Sequence, residues 1–496
     1  MLGALAAASP QPGPAERARA DDAVAELLNV CQACVSRSGA AVQPGEAHAL
    51  LPLGAYHFGA LEPGDEIAVL LVVPWTMQMA DLPGAVSGEL LRRGQSKNIT
   101  PAGADGLLNA PGLRVELRGV RLKLLLSQRI PMLPAPRPEA IVQNMAGVFA
   151  HEAATNILAS APDPELFSAL LRFVRVWARR RGVYGGFLGF PGGTAWAICC
   201  AKVCQMHPNT ELPYLAARFF RTLSRWDWRQ PINLDRAAAQ PTLPPDGDAA
   251  ATPLMSVLLP IGAGLPTTPS LTETTMRIVQ KELRRGYKMM QQVELAKAHW
   301  TDVYKEANFF QRHRHYLEFD FMATSEDIHA SWVAFGKQQM QELVSLFEKS
   351  SSKIVTVRPW PDWVQFTDAE WPHATAVFLG LHLERDDDTQ QEKGQRRSFD
   401  LREPIVKFLE AISAWPEAEA NVNKFELLIK HVRLAELEQW LESRKIGETA
   451  QPTGTAIQGL SAQAQGRPPS LAAWPMPEEL GRDAPPGHPG LQQCSL

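Results

Sequence analysis

The densest regular run of apolar residues lies between positions 166 and 198, where Leu166, Leu170, Phe173, Val174 and Trp177 recur at helical spacing as one stripe. This helix is predicted to end in Arg179, Arg180 and Arg181, cations that the negative end of a helix dipole favours. Six glycines between Gly182 and Gly193 then surround Tyr184, Phe187, Phe190 and Pro191, a composition that lets backbone approach a ligand or a neighbouring helix closely. A second apolar helix follows from about Thr194. Towards the N-terminus, Val24, Leu27, Leu28 and Cys31 predict a helix starting at Asp21, and residues 49–53, 67–73 and 113–117 read as strands. Residues 272–294 read as a helix carrying Lys281, Arg284, Arg285 and Lys288. Later residues alternate in type. A strand over 316–322, a helix over 327–348, strands over 354–357 and 374–383 and a helix over 399–414 are followed by a further segment over 426–441, a ferredoxin-like α+β order.

A length of 496 residues predicts roughly three domains, and a hydrophobic content of 45% is enough to pack them. We place them at 21–140, 141–300 and 301–446. A leader over 1–20 and a tail over 447–496 are too rich in Ala, Pro, Gly and Gln to order themselves. Residues 130–138 and 386–395 read as loops, and 235–252 as a surface excursion. The 49 basic and 53 acidic residues leave a net charge of −4, so any RNA contact has to use a local patch. Six cysteines cannot staple so long a chain, and no signal peptide or membrane-spanning run is evident, which predicts a reduced, intracellular, soluble protein without a membrane partner. Cys31 and Cys34 lack further ligands at zinc-finger spacing and read as inward positions one helical turn apart. His313 and His315 likewise read as hydrogen-bonded structural groups.

The words Trp177-Ala178-Arg179-Arg180-Arg181, Tyr184, Phe190-Pro191-Gly192-Gly193-Thr194-Ala195-Trp196, Phe219-Phe220 and Ser224-Arg225-Trp226-Asp227-Trp228 closely resemble the central domain of eukaryotic poly(A) polymerases. The likeness extends to Leu259-Pro260-Ile261, and to Phe309-Phe310 with His315-Tyr316 at the entry to the C-terminal domain. It implies a polymerase-beta-like nucleotidyltransferase domain, a central helical domain and a ferredoxin-like RNA-binding domain. It also implies Mg²⁺ and ATP as cofactor and substrate, single-stranded RNA 3′ ends and RNA-processing proteins or an active polymerase chain as partners, and the nucleus as location. No basic import cluster is evident, since Lys393 to Arg397 is too sparse.

Aligned on that resemblance, the catalytic words are altered. Pro52-Leu53-Gly54-Ala55 stands at the family's Gly-Ser, so Gly54 is kept and the hydroxyl that helps hold the triphosphate is absent at Ala55. The first metal-binding aspartate falls on Glu66, the second on Ala68 and the third, within Gly119 to Leu125, on Lys123. Two Mg²⁺ ions about 3.5–4 Å apart need anionic ligands to cancel their repulsion. A unit charge about 4 Å away is worth roughly 4 kcal/mol at an effective dielectric near 20, so a lysine in place of a carboxylate costs about twice that. The resemblance therefore implies impaired or lost catalysis, with Glu66 the one remnant catalytic and metal-binding residue. Activity survives in the alternative reading, an adenylyltransferase in which Asp65 or Glu116 substitutes or a partner chain supplies the catalytic groups. A third reading is a structural subunit. The family's asparagine contact falls on Ala146, beside Gly147, with Asn144 nearby. Its triphosphate-contacting lysine falls on Arg179, and Tyr184, Gly192 and Gly193 keep the rest of the nucleotide-binding set. Arg312, Arg314, Lys349, Lys353 and Arg358 are the RNA-binding candidates, with Trp360 and Trp363 for base stacking.

Overall fold

The computed structural model describes residues 1, 3–5, 11–37, 50–74, 77, 79–94, 96–102, 111–129, 146–234, 254–261, 265–350, 355–366, 370–383 and 401–437. The loops expected at 130–138, 235–252 and 386–395, together with Asn144, Lys353 and the tail, lie outside these residues. Contacts divide the chain into two units, Met1–Ala307 and Asn308–Leu496, so the first two expected domains share one unit.

In the first unit, α1 (Pro14–Arg37) begins inside the stretch expected to be a disordered leader. Pro14 suits a first turn, where its missing N–H has no helical partner to lose, and the Gly13 N–H donates to the Glu16 carboxylate at 2.9 Å. Its inner face carries Ala23, Leu27, Val30, Cys31 and Cys34. Burial pushes the Cys31 thiol up to about 12, which leaves it inert as a nucleophile. There follow β1 (Leu50–Pro52), α2 (Gly54–His57), β2 (Ile67–Pro74), α3 (Leu82–Arg93), β3 (Ser96–Pro101), β4 (Gly112–Leu117) and β5 (Val120–Arg129). The strands form a mixed sheet in the order β1-β2-β5-β4-β3, in which β2 and β5 run parallel. Side chains alternate across a strand. Ile67, Val69, Leu71, Leu113, Val115, Leu122 and Leu124 therefore pack with α1 and α3, while Ala68, Arg114 and Lys123 stand on the other, half-buried face.

Helices α4 (Ala146–Ala159), α5 (Pro164–Arg180), α6 (Gly193–Met206), α7 (Leu212–Ser224), α8 (Glu273–Glu294) and α9 (Trp300–Val303) complete this unit. Asp163 caps α5 by accepting the Glu165 and Leu166 N–H groups, each at 3.0 Å. Trp177 of α5 meets Trp196 of α6 and Phe219 and Phe220 of α7 edge to face at ring separations of 5.7, 6.3 and 4.9 Å. Such pairs add about 0.5–1.5 kcal/mol each beyond area burial, so the aromatic words of the sequence are the packing core of the helical part. Arg181 is not solvated as a capped helix end would be, because its guanidinium is buried in a bidentate pair with Glu282 of α8 at 2.8 and 3.2 Å.

The second unit contains α10 (Phe309–Arg312), β6 (His315–Ala323), α11 (Glu326–Ser350), β7 (Val355–Pro359), β8 (Val364–Phe366), β9 (His373–Leu383), α12 (Arg402–Ser413) and β10 (Phe425–Arg433). The sheet runs β10-β6-β9-β7, with β8 beside β9, through antiparallel pairings. The unassigned segment after 426 supplies β10, and the short β8 is an addition to the expected order. One sheet face packs on the helices, Phe319 meeting Phe408 and Phe321 meeting Trp332. Over the other lie Phe309, Phe310, Trp360, Leu434 and Leu437.

Candidate active site

The candidate cleft is the half-buried face of the first sheet, near the start of β2. Parallel register sets Ala68 opposite Lys123, and antiparallel register sets Arg114 opposite Lys123 and Thr100 opposite Arg114. One row across four strands therefore carries Ala68, Lys123, Arg114 and Thr100 on a single face. Glu66 stands just ahead of β2 and accepts from Arg114 Nε at 2.8 Å, both side chains remaining about one-third exposed at 32% and 30%. The positions aligned with three metal-binding aspartates are thus neighbours in space, and an arginine that the alignment does not mark has joined them.

The two other carboxylates considered for this cleft face elsewhere. Consecutive extended residues point to opposite sides, and Asp65 accordingly turns to α5, where Arg175 Nη2 lies at 2.8 Å and Arg179 Nη2 at 3.1 Å. Glu62 joins the same group at 3.4 Å from Arg179 and 3.8 Å from Arg175. Burial opposes ionisation of Asp65, yet Arg175 and Arg179 outweigh it and hold the carboxyl below the usual range. Glu116 accepts from Asn98 Nδ2 at 3.3 Å and stands in register with Arg121. Asp65, Glu66 and Glu116 consequently take separate partners, and among the described residues no three His, Cys, Asp or Glu side chains gather as a metal-holding group.

Arg172, Arg175 and Arg179 share one face of α5, yet only Arg179 was marked from sequence. The polar positions within this apolar helix were the available signal. Arg179 also lies over the Tyr184 ring, 5.2 Å from its centroid. A Cβ at Gly193, the first residue of α6, would come within 2.7 Å of the Tyr184 hydroxyl, so a larger residue there would push the Tyr184 ring aside. Gly192 caps α6 in an extended conformation, and Gly54 opens α2 at φ 53°. Gly147 serves packing as well, since a Cβ would meet Leu70 Cδ1 at 2.4 Å where α4 crosses the sheet.

The profile of the poly(A) polymerase central domain matches residues 166–306, which include α5, the glycine-rich turn and α6 to α8. The chain thus carries a poly(A) polymerase central domain. Nuclear poly(A) polymerase 1 of Arabidopsis thaliana is 27% identical over 390 residues, which are 75% of this chain and 53% of the relative. Nuclear poly(A) polymerase 4 of the same organism is 24% identical over 407 residues, 78% of this chain and 53% of the relative. Poly(A) polymerase PAPalpha of Candida albicans is 27% identical over 312 residues, 60% of this chain and 55% of the relative. The chain spans about half the length of these curated relatives. The crystal structure of mtPAP in complex with UTP is 13% identical over 56% of this chain and 66% of that one, at a TM-score of 0.41.

In the second unit of this poly(A) polymerase relative, Arg312, Arg314 and Lys349 are exposed. Arg358 is not a surface group: it is 5% exposed, on β7 opposite Gly380. Trp360 stacks on Phe309 at 4.8 Å, and Trp363 stacks on Phe321 at 5.5 Å with Lys337 Nζ 5.1 Å from its ring. Both tryptophans anchor their own unit and stay half-buried. His315 Nδ1 lies 3.1 Å from His431 Nε2, and burial, then Arg358 and Arg312, push the His313 pKa down to about 4.

Proposed function

We propose that this poly(A) polymerase-family protein serves RNA 3′-end processing in the nucleus as a catalytically impaired or inactive member that keeps RNA and ATP binding. One observation carries the reading: Ala68 stands in register with Lys123, and Glu66, ahead of the same strand, is held by Arg114. A pair of Mg²⁺ ions needs several anionic oxygens converging on it, and two cations with one ion-paired carboxylate do not fit that need. Glu66 is then a remnant, and no phosphoryl-transfer step runs through this row. The second unit's order, β-α-β-β-α-β once the short β8 is set aside, resembles a ferredoxin-like domain and supports RNA binding, with Arg312 and Arg314 as its phosphate contacts. The shared packing of Arg179, Tyr184 and Gly193 supports a kept nucleotide pocket. Its partners would be single-stranded RNA 3′ ends, ATP, and RNA-processing proteins that include an active polymerase chain.

Purified protein incubated with an RNA primer, Mg²⁺ and labelled ATP tests this. No incorporation above a protein-free blank is expected, with RNA retained in a binding assay. Incorporation that Glu66→Ala abolishes would establish an active adenylyltransferase instead, and RNA binding with no ATP binding would reduce the chain to a structural subunit.

A further inference from the structure

Helix α7 turns a cationic stripe to solvent. Tyr214, Arg218, Arg221 and, just past the helix, Arg225 recur at helical spacing on the face opposite the buried Leu212, Ala216, Phe219 and Leu223. At about 1.5 Å per residue the stripe runs on the order of 16 Å. Aromatic rings interleave with it. Arg218 lies over the Tyr214 ring, 4.5 Å from its centroid, and Arg225 over the ring of Tyr287 on α8 at 5.1 Å. Tyr214 is 41% exposed, and the exposed Arg284 and Lys288 share the outward side of α8 beside Tyr287.

Little offsets these cations. Helix α7 itself contains no acidic residue, and among the described residues Arg218, Arg221, Arg225 and Lys288 enter no ion pair. The acidic neighbours hold other partners: Asp227 pairs with Arg229 at 2.9 Å, Glu273 with Arg277 at 2.9 Å and Glu282 with the buried Arg181 at 2.8 Å. Glu211 stands at the start of α7 and Glu294 at the end of α8. Burial, then Arg218 and Arg221, lower the pKa of His207, which meets Tyr214 edge to face at 5.8 Å. A chain with a net charge of −4 thus gathers an unopposed positive face here. Resting on the reading above that the protein binds RNA, we propose that the outward face of α7, continued by Tyr287, is a second contact for single-stranded RNA, with its phosphates on Arg218, Arg221 and Arg225.

Residue types select that partner. Guanidinium forks match pairs of phosphate oxygens, and rings and guanidinium planes both stack bases. An acidic peptide would use the cations and leave the rings idle. A convex helix face has no walls to enclose a small anion, whereas a string of phosphates gains from each cation along the stripe.

Anisotropy of a labelled oligoadenylate on the full chain, across a salt series, tests the proposal. Arg218→Ala with Arg221→Ala should weaken binding roughly tenfold at low salt and flatten the slope of log affinity against log salt by about 1.4, the share of two phosphates on a single strand. Lysine at both positions should keep the slope. Arg221→Ala alone, at an exposed side chain, should remove about 0.7 with an unchanged melting curve. Arg229→Ala should alter neither affinity nor slope. Equal affinity and slope in wild type and the alanine variants overturn the proposal, as does polyglutamate that competes as well as RNA of equal charge through the same arginines, which would assign the face to an acidic protein. RNA binding that survives these variants and is lost in Arg312→Ala with Arg314→Ala sinks this inference alone, whereas a wild type that binds no RNA sinks the reading beneath it.

Discussion

Lys123 sets the chemistry of the cleft through its place in the row, between Ala68 on one side and Arg114 on the other. Its identity and that of Glu66 and Ala68 could be read by aligning the chain on the poly(A) polymerase pattern. Arg114 and Arg175 could not, because their partners lie 48 and 110 residues away in the chain and only folding brings them together. Asp65 carries a prediction at this scale. Its folded-state carboxyl is held below the ordinary value, so its stabilising effect is complete above the unfolded pKa of about 3.9 and fades as pH falls through the depressed folded value. Asp65→Asn should lower unfolding free energy by about 2–4 kcal/mol near pH 7, since Arg175, only 4% exposed, loses its nearest carboxylate. Urea unfolding at pH 7 and pH 3 checks this, with the gap between wild type and variant closing in acid. Lys430→Met is expected to be similarly harmful, about 3–5 kcal/mol, because Asp320, 1% exposed, has its ammonium partner at 2.7 Å.

Among the elements, α5 and α6 were the most legible, since an apolar stripe at helical spacing and a glycine-rich turn are strong local signals. The start of α1 was misread because Ala, Pro and Gly suggested disorder, whereas Pro14 and Glu16 form a sound first turn. β10 escaped assignment because Phe425, Ile429 and Val432 are its only buried residues, too irregular for a clean alternation. The Gly193 contact makes a prediction about the joint between the turn and α6. Gly193→Ala should displace Tyr184 and with it Arg179, weakening ATP binding by roughly tenfold while the melting temperature moves by only a few degrees. Equal ATP affinity in this variant would show that Tyr184 and Arg179 serve packing alone.

Across the whole molecule, the family likeness and the α+β class were legible. The sheet and the helical part associate as one unit ending at Ala307. Burial also gives the second unit a pH dependence. His313 and His329 each have a pKa lowered from 6.5 to about 4, so the unfolded chain takes up protons in that window and the folded chain does not. Stability of this unit should therefore fall as pH drops from about 6.5 to 4, by up to about 1.4 kcal/mol per pH unit for each histidine. Thermal melts of the full chain across that range should show the later unit shifting, and His313→Gln with His329→Gln should flatten the dependence. No described helix is long and apolar enough to cross a membrane.

The central claim, that the aligned metal positions no longer hold a metal pair, is tested most directly by titrating the protein with Mn²⁺ and following free ion by electron paramagnetic resonance. The charge row around Lys123 predicts no saturable binding of Mn²⁺ that Glu66→Ala removes. Two ions bound per chain, and lost in Glu66→Ala, would contradict it.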